Sequence, residues 1–343
     1  MRLKNAIFWS VLLLLAVELI RFPEVAAAGA AHGLRICGRA LIPALFPYFV
    51  LSRLVIARAS FGRVAARFDR QMGNLFCVEG TCLPALLIGF LGGYPVGAAT
   101  VATLYENGKT SKQSAQRAMC LCNNSGPAFF LGVVGGTVLK DRRAGLVLYG
   151  IHVLAAVCAG ILLATPGSVH VSMRKQATQV RTPIFRAFPE AIGASCAALL
   201  QISGLVVFFC VLNAIAERVG LWKPFAGFPA ARGLLSGLFE LSSGILQLSG
   251  SWAVRFLACA FLLGWGGICV HFQAASLWSA AGLHPHGYLS EKALHALLSL
   301  LFAAAYLHSG VLFACVTSFL LCLCAGFVLL RKKRTGNLRR DAV

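Results

Sequence analysis

Four stretches of this chain, 82–105, 145–166, 192–216 and 311–330, contain no Asp, Glu, Lys or Arg. A helix needs roughly 20 apolar residues to cross the hydrocarbon core of a bilayer, and each stretch meets or approaches that length. A soluble domain carries about 25% charged residues. This one carries 12%, and 58% of its residues are hydrophobic. A water-soluble core has no use for four such runs, so the chain is predicted to be an all-α polytopic membrane protein.

The net charge of +20 invites a nucleic-acid reading, which the placement of the charges excludes. The basic residues lie between apolar runs and in the tail, Arg331-Lys332-Lys333-Arg334, as they do in the cytoplasmic loops of membrane proteins. The 13 cysteines are scattered through apolar segments, as at Cys120, Cys122, Cys158, Cys196, Cys210, Cys322 and Cys324, and form no C-x-x-C pair. In lipid a free cysteine is a small apolar residue, so neither disulfides nor a zinc site is expected. Residues 1–5 are basic, 6–20 apolar, and Ala26-Ala27-Ala28 has the small residues of a cleavage region. With many later spans, an uncleaved first helix is the expectation.

The expected order is a span at 6–22, an interfacial helix at 24–39 carrying Glu24, His32, Arg35 and Arg39, and a span at 40–57. Stretch 82–105 holds Pro84, Gly89, Gly92, Gly93, Pro95 and Gly97. That much glycine and proline argues against one straight helix and for a hairpin that enters and leaves on one side. A span at 117–139 is interrupted by Asn123-Asn124-Ser125-Gly126-Pro127, and another follows at 144–165. A basic linker, 166–190, separates the halves. The second half repeats the layout: a span at 191–216, a Gly/Ser-rich hairpin at 232–250 with Glu240, and a span at 251–276 broken at Gly264-Trp265-Gly266-Gly267. Segments 293–307 and 311–330 follow. The domains are therefore read as 1–39, a first repeat 40–165, the linker 166–190, a second repeat 191–276, and C-terminal helices with a basic tail, 277–343. With the N-terminus inside, most basic loops fall inside and the two hairpins enter from opposite sides. That makes two inverted repeats, each with a re-entrant hairpin and a broken transmembrane helix, the plan of secondary transporters.

The candidate binding residues lie at the breaks. Asn123, Asn124, Ser125 and Gly126 sit inside an apolar span, where amides and hydroxyls are costly without partners. Pro127 suits the first position of a new half-helix, whose start would present N–H groups and a positive dipole end to an anion. The alternative is a helix contact through small polar residues. Glu240 is an acid within a membrane segment, suited to a coupling proton or cation or to the solute itself; the alternative is an ion pair with Arg232 or Arg255. His271 and Gln273 follow Gly266-Gly267 as Asn123 and Asn124 precede Gly126-Pro127; the alternative is a structural interhelical hydrogen bond. Hairpin tips are placed at Gly92, Gly93, Tyr94 and Pro95 and at Ser242 and Ser243, with a plain turn as the alternative for Tyr94-Pro95. Gln201 and Asn213 are read as interhelical contacts. His284-Pro285-His286 lacks a third ligand, so no metal is expected. With no P-loop, Gly-x-Ser-x-Gly or His-Glu-x-x-His, neither an enzyme nor a cofactor is expected.

Three strings, 89–98 (Gly-Phe-Leu-Gly-Gly-Tyr-Pro-Val-Gly-Ala), 104–108 (Leu-Tyr-Glu-Asn-Gly) and 122–127 (Cys-Asn-Asn-Ser-Gly-Pro), resemble the YlbJ family of sporulation integral membrane proteins. So do 237–244 and 264–273 in the second half. The resemblance covers about 41–276 in layout. It implies nucleoside-recognition, gate-type repeats similar in plan to concentrative nucleoside transporters. It also implies a stage V sporulation role in moving dipicolinate across the outer forespore membrane. By resemblance, Asn123, Asn124, Ser125, Glu240, His271 and Gln273 fall at the binding centre. The partners expected are the bilayer, a small solute, and a coupling proton or cation. The rival readings are a nucleoside or other small-solute transporter, and a membrane scaffold in spore assembly.

Overall fold

The computed structural model describes residues 2–58, 61–164, 183–225 and 227–340, and over them the chain is helical with no strand. The elements in order are α1 (Arg2–Arg21), α2 (Pro23–Ile36), α3 (Ile42–Arg58), α4 (Phe61–Phe76), α5 (Leu83–Gly92), α6 (Val96–Glu106), α7 (Lys112–Cys122) and α8 (Pro127–Phe129). Then come α9 (Arg142–Leu162), α10 (Ile184–Arg218), α11 (Ala231–Phe239), α12 (Leu241–Leu246), α13 (Trp252–Trp265), α14 (Gly267–Ala280), α15 (Tyr288–His308) and α16 (Gly310–Arg340). Among the described residues, five helical stretches are long and apolar enough to cross a membrane: Pro23–Ile56, Arg142–Leu162, Ile184–Arg218, Trp252–Ala280 and Gly310–Arg331. A bent pair, Arg67–Phe76 with Gly80–Gly92 at 89°, makes a sixth if it is one span.

Several boundaries differ from those expected. The 24–39 segment is no separate helix. α2 runs through a π-helical turn, Cys37–Leu41, directly into α3. It lies along α10 because Gly29 and Gly33 carry no side chain: a Cβ on Gly33 would meet Val207 Cα at 2.7 Å, and one on Gly29 would meet Val211 Cα at 2.9 Å. Small residues at such a seam let two backbones approach. Most of the 166–190 linker lies outside the described residues, and its last part, from Ile184, is already the start of α10. The two C-terminal segments are separate helices, α15 and α16, packed on each other.

The main core gathers α6, α7, α9, α13 and α15 around Met119, Phe130, Leu148, Phe256, Leu262 and Phe302, all fully buried. α16 packs on its edge through Leu320 and Cys324 and leaves most of its surface uncovered: 6% of its most apolar stretch is buried, against 61% for Trp252–Ala280. The uncovered faces of α1, α10 and α16 carry Trp9, Ile20, Leu200 and Phe319, side chains suited to lipid rather than water.

Both halves have helices that stop and restart. α5 and α6 are split at Gly93-Tyr94-Pro95, with Gly93 at φ +83° and the Tyr94–Pro95 bond cis. α7 and α8 are split at 123–126, and α8 continues as a π-helical stretch, Phe130–Val138. α11 and α12 are split at Glu240, and α13 and α14 at Gly266, φ +94°. The breaks pack backbone on backbone. A Cβ on Gly93 would meet Gly126 N at 2.9 Å, and one on Gly267 would meet Gly237 O at 2.9 Å. Cβ atoms on Gly89 or Gly97 would both run into the Cys122 carbonyl.

Gly97→Ala is therefore expected to lower stability by about 1–3 kcal/mol, the usual cost of overpacking. Gly150→Ala, in α9 with nothing within 4 Å of its Cβ position, is expected to leave it unchanged or slightly raised. Thermal unfolding of the purified protein in detergent compares the two.

Candidate functional site

A helix that ends inside a membrane protein leaves carbonyls and N–H groups without partners, and lipid supplies none. Here other elements supply them. Tyr149 Oη donates to Phe90 O at 3.0 Å, at the end of α5. Asn124 Nδ2 donates to Leu121 O at 2.6 Å and the Lys292 ammonium to Asn123 O, at the end of α7. Near the end of α11, Asn213 Nδ2 donates at 3.1 Å to Ser236 O, which also accepts the Glu240 N–H. Tyr94 Oη, from the first break, donates to Leu263 O at 2.6 Å, at the end of α13. That last bond ties a break of the first half to a break of the second. A Cβ on Gly266 would lie 3.3 Å from the Tyr94 hydroxyl, so the contact also needs a glycine there.

The expected site residues divide into two groups. Asn123, Asn124 and His271 come together. Lys292 Nζ lies 3.3 Å from Asn124 Oδ1, Asn123 Nδ2 donates to Tyr288 Oη at 2.6 Å, and Tyr288 Oη stands 3.3 Å from His271 Nδ1. Lys292 Nζ lies 5.9 Å from the centroid of the Tyr94 ring. This chain of contacts runs from α7 through α15 to α14, and all its members are buried. Asn123 Oδ1 and His271 Nε2 have no partner, which in a buried site asks for an explanation. Ser125 gives its N–H to His152 Nε2 at 3.1 Å, and Gly126 lies against Gly93.

The second group surrounds the other break. Glu240 pairs with neither arginine: Arg232 bridges Glu217, and Arg255 donates to Val138 O at 2.9 Å. Its carboxylate instead caps α12, accepting from Ser242 N at 3.1 Å and Ser243 N at 2.6 Å. Ser243 Oγ lies 3.3 Å from His32 Nε2 and 3.7 Å from Cys210 Sγ. Gln273 donates to Cys269 Sγ at 3.2 Å, one turn back on its own helix. The helix starts expected to face an anion are thus largely occupied from within. Glu240 covers one; at the other, Ser125 N–H is taken and Pro127 has none. Asn213 makes the expected interhelical bond, whereas Gln201 is exposed. Among the described residues no metal-binding cluster of His, Cys, Asp or Glu occurs.

Sequence reasoning missed the contribution of α15. Tyr288, Glu291, Lys292, His295 and Ser299 are all buried, and their three- and four-residue spacing places them on one helix face. Glu291 pairs with Arg117, whose other nitrogens donate to Phe76 O and Gly160 O. His295 lies against His152, ring centroids 4.4 Å apart, and approaches His152 O at 3.0 Å. A crevice too tight to hold a water molecule lies between α7, α9 and α15, lined by Cys120, Asn124, Glu291, Lys292 and His295 among others. The polar spacing is present in the sequence, but the segment expected at 293–307 leaves Tyr288, Glu291 and Lys292 outside it, whereas α15 starts at Tyr288.

Apolar helices exposed on their outer faces, with helix breaks joined inside by buried polar side chains, define a polytopic integral membrane protein. The chain is similar to the sporulation integral membrane protein YlbJ of Bacillus subtilis (strain 168): 22% identical over 336 residues, covering 88% of this chain and 82% of that protein. The match covers most of both proteins, so the similarity bears on the whole molecule rather than on one segment. No family model matches it, and no solved structure does.

As an N-cap, Glu240 is expected to contribute about 1–2 kcal/mol. Glu240→Ala should lower the unfolding temperature more than Glu240→Gln, which keeps one acceptor oxygen. Equal unfolding temperatures for both variants and the wild type would remove the capping role.

Proposed function

We propose that the chain is a secondary-type transporter of a small anionic heterocycle, with dipicolinate crossing the outer forespore membrane during sporulation as its solute. The observation that carries the reading is the meeting of helix breaks from both halves at a buried polar centre. Transporters place discontinuous helices and their solute at such a point because non-helical backbone is tolerated in the membrane only around a protein-lined cavity. A protein that merely spans the bilayer gains nothing from interrupting several helices at one place. The two partnerless atoms, Asn123 Oδ1 and His271 Nε2, are the kind a polar solute would satisfy.

The parallel order of the halves supports an inverted-repeat reading: a split helix pair (α5/α6 and α11/α12), then a broken helix (α7/α8 and α13/α14). On that reading the split pairs are re-entrant hairpins, and rocking of one half against the other alternates access. The cleft at the site is narrow, so a solute reaches it only when the breaks part. The sporulation setting and dipicolinate come from the family resemblance, and the name of the Bacillus relative agrees with the setting.

Proteoliposomes containing the purified chain are expected to take up labelled dipicolinate saturably, with or without a proton gradient deciding the coupling. Asn124→Ala is expected to abolish uptake while remaining in the membrane, since its side chain both closes α7 and holds Lys292. Uptake of a nucleoside instead would reassign the solute. Failure of folded protein to move either solute would favour a scaffold in spore assembly.

A further inference from the structure

We propose that Lys292 is the solute-recognising cation: its buried ammonium, at the meeting point of the breaks, binds a carboxylate of the transported anion. The inference rests on the carrier reading above and adds a residue and a chemical class to it.

Lys292 is 1% exposed. Burying an ammonium costs several kcal/mol unless a counter-charge or a full set of hydrogen bonds offsets it. Glu291, the acid beside it in sequence, is engaged by Arg117. Among the described residues no carboxylate lies within ion-pair distance of Lys292 Nζ; its recorded partners, Asn123 O and Asn124 Oδ1, are both neutral. The Arg117–Glu291 pair is balanced, so the cluster retains one buried positive charge without a counter-ion. An ammonium has three donors, and these two bonds use two of them.

The neighbouring groups extend the match to a carboxylate. Tyr288 Oη accepts from Asn123 Nδ2 and so turns its own proton toward His271 Nδ1. A neutral imidazole that accepts at Nδ1 carries its proton on Nε2, and Nε2 is the atom without a partner. Lys292 and His271 therefore each hold a donor in reserve, on either side of the Asn123–Tyr288 bridge. The Tyr94 ring beside Lys292 offers an aromatic face to a flat solute. The competing role for Lys292 is purely structural: a cation closing the carbonyl end of α7. That role predicts loss of stability without any change in which solute is preferred.

Trp265 stands edge-on to His271, centroids 4.5 Å apart, and Trp278 edge-on to Tyr288 at 4.8 Å, so tryptophan fluorescence reports on the site. The experiment titrates the full chain in nanodiscs with pyridine-2,6-dicarboxylate, its neutral diamide, and uridine. The wild type is expected to prefer the dicarboxylate to the diamide by roughly 10- to 100-fold, the worth of a hydrogen bond to a charged group. In Lys292→Met the preference should fall to near parity, and in Lys292→Arg it should persist. Asn124→Asp, which gives Lys292 an internal counter-ion, should remove the preference too and serves if the methionine variant does not fold. A folded Lys292→Met that keeps the full preference, whatever its unfolding temperature, makes Lys292 a helix cap and overturns the inference while leaving the carrier reading intact. Wild type that binds uridine but not the dicarboxylate overturns the inference and reassigns the carrier's solute to a nucleoside. Folded wild type that binds none of the three overturns both.

Discussion

Every break in a membrane helix exposes backbone groups that only the protein itself can satisfy, and this requirement organises the molecule. Among the described residues four helix pairs are interrupted, and at each one a side chain from another element reaches a carbonyl near the break: Tyr149 at α5, Lys292 at α7, Asn213 at α11, Tyr94 at α13. Because the donors come from other elements, the breaks cannot lie apart. Glycines at 89, 93, 97, 126, 244 and 267 then let the interrupted backbones touch.

The same requirement changes the meaning of the positive charge. A basic residue near the end of an apolar run is ordinarily a mark of topology, and much of the +20 charge sits that way. Three arginines do something else. Arg117 bonds Phe76 O and Gly160 O; Arg255 bonds Val138 O; Arg331 bonds Ile161 O and Ala164 O. Each reaches from its own helix to the place where another stops, and the guanidinium fork meets the last carbonyls there. Arginine suits this because it stays charged and presents several donors at fixed angles. Lys292 also bonds a carbonyl at a helix end, and Glu291, the acid beside it, is engaged by Arg117.

Transport would use this arrangement by letting a solute replace bonds that the closed site makes with itself. Asn123, Tyr288 and His271 connect the two halves through hydrogen bonds, and Tyr94 connects them again through Leu263. Parting the halves breaks these bonds; a solute with acceptors in the right places restores some of them. The second group, around Glu240, is satisfied internally and suits a fixed hinge better than a binding surface. Its carboxylate is committed to the two serine N–H groups that open α12.

The sequence by itself determined the membrane setting, the helical class and the places where helices break, because these depend on local properties. Uncharged runs must be helical in lipid, and Gly-Gly-Tyr-Pro, Asn-Asn-Ser-Gly-Pro and Trp-Gly-Gly cannot continue a helix smoothly. It also supplied Asn123, Asn124 and His271 as polar residues at those breaks. Only the tertiary structure decided which polar groups meet. Glu240 looked like a free intramembrane acid, yet its own chain folds two N–H groups onto it. Lys292 lies just outside the segment expected at 293–307, yet it is buried against residues more than 160 positions earlier. Partnership between distant residues follows from how helices pack, and no local pattern of letters records it.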